Sequence, residues 1–267
     1  MTDPSEIERH AIKLLHHRAH AIPNPVLPEQ ERLDDLSLAY AIQDAADAIL
    51  RDTRSYKAIG YKLAGTNPVS RAHLKIDGPF FGRLYDRMMS FSPATVIDAG
   101  FFRVHEPEIA IEIARDLELA EAPFDAAKVE AATRAVLPAI EIIGTPFTPW
   151  AQAGGPNLAS DNAAFGYWIM GAPLLDWSDL DLLDGMVTLS INGEVVATGK
   201  GRNVDGGAFG ATAWLANTLA AKGRTLKAGD YVTTGSVTPP IPVDPGQHVL
   251  ADFGPLGRVE LRIADKL

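Results

Sequence analysis

Cysteine is absent from the 267-residue chain. That excludes disulfides, thiolate nucleophiles and zinc or iron–sulfur sites with cysteine ligands. Basic residues are the minority: 24 Lys and Arg against 34 Asp and Glu leave a net charge of −10. A phosphate backbone or an anionic lipid surface is gripped through a positive face, so neither nucleic acid nor membrane is an expected partner. No apolar run approaches the roughly 18 unbroken residues of a membrane span. The opening Met1-Thr-Asp-Pro-Ser-Glu has neither the basic start nor the apolar stretch of a secretion signal. A cytoplasmic protein is the expectation. Familiar catalytic signatures are missing as well. There is no Gly-x-Ser-x-Gly elbow and no P-loop, and Gly199-Lys-Gly-Arg-Asn-Val keeps only two glycines of a dinucleotide fingerprint.

What is present is a helical beginning and a strand-rich remainder. Ile7, Ala11, Leu14, Leu15 and Ala19 recur at helical steps from Ser5 to about Ala21, before Pro23, Pro25 and Pro28 break the pattern. Ser37 is a plausible N-cap for a second helix running to about Arg51. A third is predicted from Asp125 to Val136, with Pro138 just beyond it, and a fourth from Ala208 to Lys222, stopped by Gly223. From about Ile59 the rest reads as strands. Asn192-Gly193 joins Met186–Ile191 to Glu194–Ala197 as a hairpin, because both turn positions need positive φ. Tyr231–Thr234, His248–Phe253 and Arg258–Ile263 follow. The fold class is α+β: a helical N-terminal portion, residues 1–58, packed on a β-rich body, residues 59–267, as one structural unit. His10, His16, His17 and His20 cluster on the first helix, where a solvated face is favoured over a metal site.

The stretch that carries chemistry is Arg103-Val-His-Glu-Pro-Glu-Ile-Ala-Ile-Glu-Ile. In a strand of period two, Glu106 and Glu108 share a face and the intervening isoleucines must be buried. Further on, Pro138-Ala-Ile-Glu-Ile-Ile sets Glu141 alone in an apolar run, where an ionised carboxylate is costly unless compensated. One reading is a solvated polar face on an edge strand. The other is a shared divalent cation, and oxygen-only ligands favour Mg²⁺ or Mn²⁺. A solvated face does not explain Glu141. Lys62, between apolar residues in Ile59-Gly-Tyr-Lys-Leu-Ala-Gly-Thr-Asn, reads either as a snorkelling surface lysine or as a partly buried proton carrier.

Taken in order, Gly60-Tyr-Lys-Leu-Ala-Gly-Thr, Glu106-Pro-Glu-Ile-Ala, Pro138-Ala-Ile-Glu-Ile-Ile, Ala159-Ser-Asp-Asn-Ala, Ala228-Gly-Asp-Tyr-Val-Thr-Thr-Gly-Ser and Phe253-Gly-Pro-Leu-Gly resemble the 2-oxopent-4-enoate hydratase/4-oxalocrotonate decarboxylase family of the fumarylacetoacetate hydrolase superfamily. The resemblance spans nearly the whole chain. It implies a mixed β-sheet roll with outer helices, and one divalent ion held by Glu106, Glu108 and Glu141. It also implies an active-site lysine at Lys62 and substrate contacts from Asp77, Phe80, Asp161 and Ser236. Two positions depart from the family pattern: Phe80 stands where an active-site Asp is usual, and Ala164 where a Ser is usual. His105, beside the glutamate pair, is a candidate for proton transfer or for a purely structural part. The resemblance implies a hydratase of 2-hydroxy-2,4-dienoates in aromatic catabolism, a homo-oligomer that pairs in some cases with an enzyme of the same pathway. Its rivals are a decarboxylase or keto–enol tautomerase of an unsaturated 2-oxo acid, and a catalytically weakened assembly subunit.

Overall fold

The computed structural model describes residues 3–26, 32–97, 100–101 and 104–264. Pro28 and Arg103 lie outside them. Helix α1 (Pro4–Ala19) starts at Asp3, whose carboxylate accepts from the Ser5 N–H, with Pro4 where no N–H is needed. Helix α2 (Leu36–Arg54) is capped by Asp35 rather than Ser37: the Asp35 carboxylate accepts from the N–H groups of Ser37 and Leu38. An anion there also complements the positive end of the helix. Between them β1 (Asn24–Pro25) pairs with β8 (Phe147–Thr148).

The body continues through β2 (Ala58–Ala64), α3 (Pro68–Leu74), β3 (Phe80–Tyr85), β4 (Met89–Phe91), β5 (Ala94–Ile97) and β6 (Val104–Ile113). Then come α4 (Ala126–Ala131), β7 (Thr133–Ile143), α5 (Gly155–Ser160), β9 (Phe165–Met170), β10 (Met186–Ile191) and β11 (Glu194–Lys200). Helix α6 (Gly207–Ala220), β12 (Tyr231–Ser236), β13 (Ile241–Pro242), β14 (His248–Asp252) and β15 (Arg258–Ala264) complete it. The third helix is shorter than its periodicity predicts. Asp125 caps it as expected, but it ends at Ala131 and the chain enters β7 at Thr133. Pairing along almost the whole of β6 outweighs one more helical turn. Pro138, read from the sequence as a helix stop, therefore lies inside a strand. Helices α3 and α5 are short insertions that the strand-rich reading of the body did not include.

Two mixed sheets form the body. One follows the order β3-β2-β12-β6-β7-β9-β4, with β13 added beside β6; the other runs β11-β10-β14-β15-β5. The larger sheet curls until β3 approaches β9. Side chains from one of its faces, Leu84, Ala110, Leu137, Ala139 and Trp168 among them, meet in a single interior cluster. Its other face, with Ile109, Ile111, Ile140 and Ile142, packs against Val187, Val249 and Leu261 of the smaller sheet. The isoleucine face read from the sequence is thus the layer between the sheets. Helices α1 and α2 join through Ala11, Leu14 and Ile42. They dock on the body through apolar contacts, with Tyr40 stacked on Phe81 and Leu50 in the interior cluster, and through polar ones: Gln43 donates to the carbonyls of Phe81 and Ala159, and Arg18 chelates Asp161. Among the described residues no helix is long and apolar enough to cross a membrane.

Candidate active site

Strand register assembles the site. In the β6–β7 ladder Glu106 faces Glu141 directly, and Glu108, two residues on, faces Ala139. Directly opposed residues have Cβ atoms about 5 Å apart, and same-strand neighbours at i and i+2 share the face. Oxygens of Glu106, Glu108 and Glu141 accordingly lie within 4.8 Å of one another. Lys62 joins them across the parallel β2–β12 pair, opposite Thr233, which is itself opposite Ala110 of β6. Its ammonium lies 2.8 Å from Glu141 Oε1 and donates to the Ala163 carbonyl at 2.8 Å. Lys62 is fully buried, so the snorkelling alternative falls. Glu108 and Glu141 are fully buried too, while Glu106 is partly exposed to a cavity of about 670 Å³.

Three adjacent carboxyl groups, two of them fully buried, and only one ammonium cannot all be ionised cheaply. Burial, and then the charge of Glu141, push Glu106 up to about 7, with Lys62 acting in the opposite sense. Glu108 is raised well above the ordinary range by burial and by both neighbouring glutamates. Hydrogen bonds from Thr233 Oγ1, at 2.5 Å, and the Gly235 N–H, at 2.9 Å, offset only part of that. Glu141 is raised by burial against the pull of Lys62.

The donor set suits a divalent cation. No N–H or O–H of the described residues hydrogen-bonds Glu108 Oε1 or Glu141 Oε2, although both atoms are buried. Buried acceptors left without donors are unusual and call for a compensating cation or proton. Three oxygens within 4.8 Å match the scale of a hard ion's shell, whose ligands sit about 2.0–2.6 Å from the metal. The α1 histidines offer no comparable group: His16 and His20 are exposed, their rings 4.3 Å apart.

Of the other residues singled out from the sequence, Phe80 and Ser236 line the cavity. Ser236 Oγ donates to the Thr238 carbonyl at 2.7 Å. Asp77 is exposed and stands outside the lining. Asp161 is buried, but its carboxylate is taken by Arg18 and by Thr145 Oγ1 at 2.5 Å, so it anchors α1 instead of facing the cavity. His105 is wholly buried and, one residue from Glu106 in an alternating strand, projects to the opposite face of β6. The cavity also draws in residues that sequence reasoning missed, notably Trp150, Leu158, Arg202 and Asn203. Arg202 lies in the Gly199–Val204 stretch examined for nucleotide binding, the only signal that pointed near it.

The curled mixed sheet that carries the acidic triad and the buried lysine has the fumarylacetoacetate hydrolase-type fold: a protein from Yersinia pestis CO92 assigned to the fumarylacetoacetate hydrolase family shares it at a TM-score of 0.60 and 18% identity, over 76% of this chain and 91% of the other. No family model matches the chain. A 2-keto-4-pentenoate hydratase of Paraburkholderia xenovorans (strain LB400) is 31% identical over 241 residues, 88% of this chain and 87% of that one. A 4-oxalocrotonate decarboxylase of Pseudomonas sp. (strain CF600) is 30% identical over 79% of this chain and 80% of its own. The fold matches that of the 4-oxalocrotonate decarboxylase from Pseudomonas putida G7 solved with magnesium and adipate. That match has a TM-score of 0.91 at 24% identity, over 98% of this chain and 99% of the other. The chain belongs to the 2-keto-4-pentenoate hydratase/4-oxalocrotonate decarboxylase family, whose members are lyases.

Proposed function

We propose that this protein is a divalent-metal-dependent hydratase that adds water to 2-hydroxy-2,4-dienoates through their 2-oxo-enoate tautomers. The observation that carries the reading is the contact of Lys62 Nζ with Glu141, inside an acidic triad that opens to the cavity only at Glu106. Glu106, Glu108 and Glu141 are assigned as the ligands of Mg²⁺, with Mn²⁺ as its substitute. Bound there, the cation would supply a Lewis acid to the 2-oxo acid. Lys62, desolvated and fixed by two acceptors 2.8 Å away, is placed to hold and return the proton exchanged at carbon 3. Ser236 supplies a hydroxyl at the cavity wall. Water is then added at carbon 4. Loss of carbon dioxide from a related acid would draw on the same electron sink, which makes a decarboxylase the second reading, favoured by the names of several relatives.

Proton NMR in D₂O, with Mg²⁺ and freshly generated 2-hydroxypenta-2,4-dienoate, separates these. Appearance of a 4-hydroxy-2-oxo acid, abolished by a chelator and in Glu106→Gln, is the expected result. Deuterium uptake at carbon 3 without hydration would move the assignment to a decarboxylase or tautomerase. A Glu106→Gln protein with undiminished Mg²⁺ affinity would remove the ligand assignment.

A further inference from the structure

The lining of the cavity above the triad is of two kinds. One is apolar: Phe80, at the start of β3, is joined by Leu158 of α5, by Ala163 and Ala164 just beyond it, and by Ile143 and Trp150. Phe80, Leu158, Ala163 and Ala164 are buried side chains, and the Ala163 carbonyl is the one that holds Lys62. Phe80 is opposite Ala64 and shares the sheet face of Lys62, which is opposite Gly82. Phe80 and Ala163 therefore bring apolar lining next to Lys62.

Several of the polar side chains in the lining are already engaged. Asn203 Nδ2 donates to the Val237 carbonyl at 2.8 Å, Ser236 Oγ to Thr238, and Asp205 accepts from Arg71 at 2.6 Å. The two permanent cations of the lining are each held by a carboxylate, Lys62 by Glu141 and Arg202 by Asp184. His73 sits exposed at the mouth, 5.6 Å from the Trp150 ring. A second carboxylate on the substrate would thus meet one buried cation already paired with Glu141, one exposed arginine already paired with Asp184, and the Asp205 carboxylate among the lining residues. Size points the same way. Clefts of about 300–1,000 Å³ suit drug-sized ligands, and a five-carbon acid would leave much of this 670 Å³ cavity unfilled.

Resting on the metal-dependent reading of the site, we propose that the substrate is a singly charged 2-oxo or 2-hydroxydienoic acid whose tail beyond carbon 4 is apolar and extended. Phe80, Leu158, Ala163 and Ala164 form the subsite that selects it. The apolar wall removes the tail from water, and each methylene so buried is worth about a three- to fourfold gain in affinity.

The test is calorimetric titration of the full-length, Mg²⁺-loaded protein with saturated 2-oxo acids. 2-Oxooctanoate should bind at least tenfold more tightly than 2-oxopentanoate. 2-Oxohexanoate should bind at least tenfold more tightly than 2-oxoadipate, its analogue with a distal carboxylate. Leu158→Thr and Ala164→Ser should each flatten the chain-length dependence while leaving Mg²⁺ affinity unchanged; Phe80→Asp, at a wholly buried position, is the harsher version. If the acids bind with no gain along the series, or 2-oxoadipate binds best, the apolar subsite is refuted while the metal-dependent reading stands. If Mg²⁺ binds and no 2-oxo acid follows it, that reading and the subsite fall together.

Discussion

At the scale of single residues, Lys62 and Gly235 make the sharpest predictions. Lys62 is held 2.8 Å from Glu141 with almost no solvent contact, so its ammonium is positioned rather than free. Lys62→Met should slow deuterium exchange at carbon 3 of a bound 2-oxo acid by about 10²–10⁴-fold. Mg²⁺ affinity should be no weaker, since a cation beside the ligands has gone. Exchange at the native rate, followed by NMR, would take Lys62 out of the mechanism. Gly235 stands at φ +108, where a Cβ would come within 1.8 Å of Thr66 Oγ1. Only glycine allows that approach, and it delivers an N–H to Glu108 at 2.9 Å. Gly235→Ala should weaken Mg²⁺ binding by about 10–100-fold, the usual effect of losing a bond that orients a ligand. An unchanged metal titration would show that this bond orients nothing. Glu106, Glu108, Glu141 and Lys62 were legible because each is a charge in an apolar or alternating context. Thr233 and Gly235 were not, since nothing local marks a hydroxyl or an N–H as the partner of a carboxylate 125 residues or more away.

At the scale of elements, α1 is tied to the body by a buried ion pair as well as by its apolar contacts. Arg18 reaches from the end of the helix to Asp161, whose side chain is only 1% exposed, and to the carbonyls of Gly144 and Phe165. Removing one partner of a buried pair leaves the other charged and desolvated. Arg18→Met should therefore cost about 3–5 kcal/mol in urea unfolding. A loss below about 1 kcal/mol would show that the pair contributes no more than an exposed one. Strand alternation explains both a success and a failure of the sequence reading. It placed Glu106 with Glu108 and the isoleucines opposite, yet by the same period His105 falls on the isoleucine side of β6. Proximity in sequence to a ligand pair is no guide to facing it. Helix α4 fails for a related reason: its residues carry helical periodicity, but the partner that claims Thr133 onward is a strand 20 or more residues earlier.

At the scale of the molecule, the buried triad makes stability depend on pH and metal together. A carboxyl whose pKa is raised on folding contributes stability that is complete below its ordinary value of 4.5 and lost as pH rises through the raised one. For Glu106 that window runs from 4.5 to about 7. Asp116 and Glu121, both half-buried and lowered by their hydrogen bonds, contribute stability that is lost only at more acid pH. Treated with a chelator, the protein should melt several degrees lower at pH 8 than at pH 5. Saturating Mg²⁺, which favours the ionised triad, should raise the melting temperature most at pH 8 and remove the difference. A chelated protein whose melting temperature climbs between pH 5 and 8 would contradict the buried acidic triad.

What the sequence determined by itself is whatever depends on near neighbours. The alternation of β6, the isolated charge at Glu141, the Asn192-Gly193 turn and the Asp125 cap all rest on local periods and backbone preferences. The absence of cysteine and of basic excess needed no structure either. Tertiary structure alone decided which of the acidic residues meet and what surrounds them. Asp77 is left in solvent and Asp161 is given to a helix that arrives 143 residues earlier in the chain. The walls of the cavity come from five separate stretches, and their polarity is set by which hydrogen bonds they have already made to one another. A long-range ladder chooses its partners by burial and register across the whole sheet, and no window of neighbouring residues contains that information.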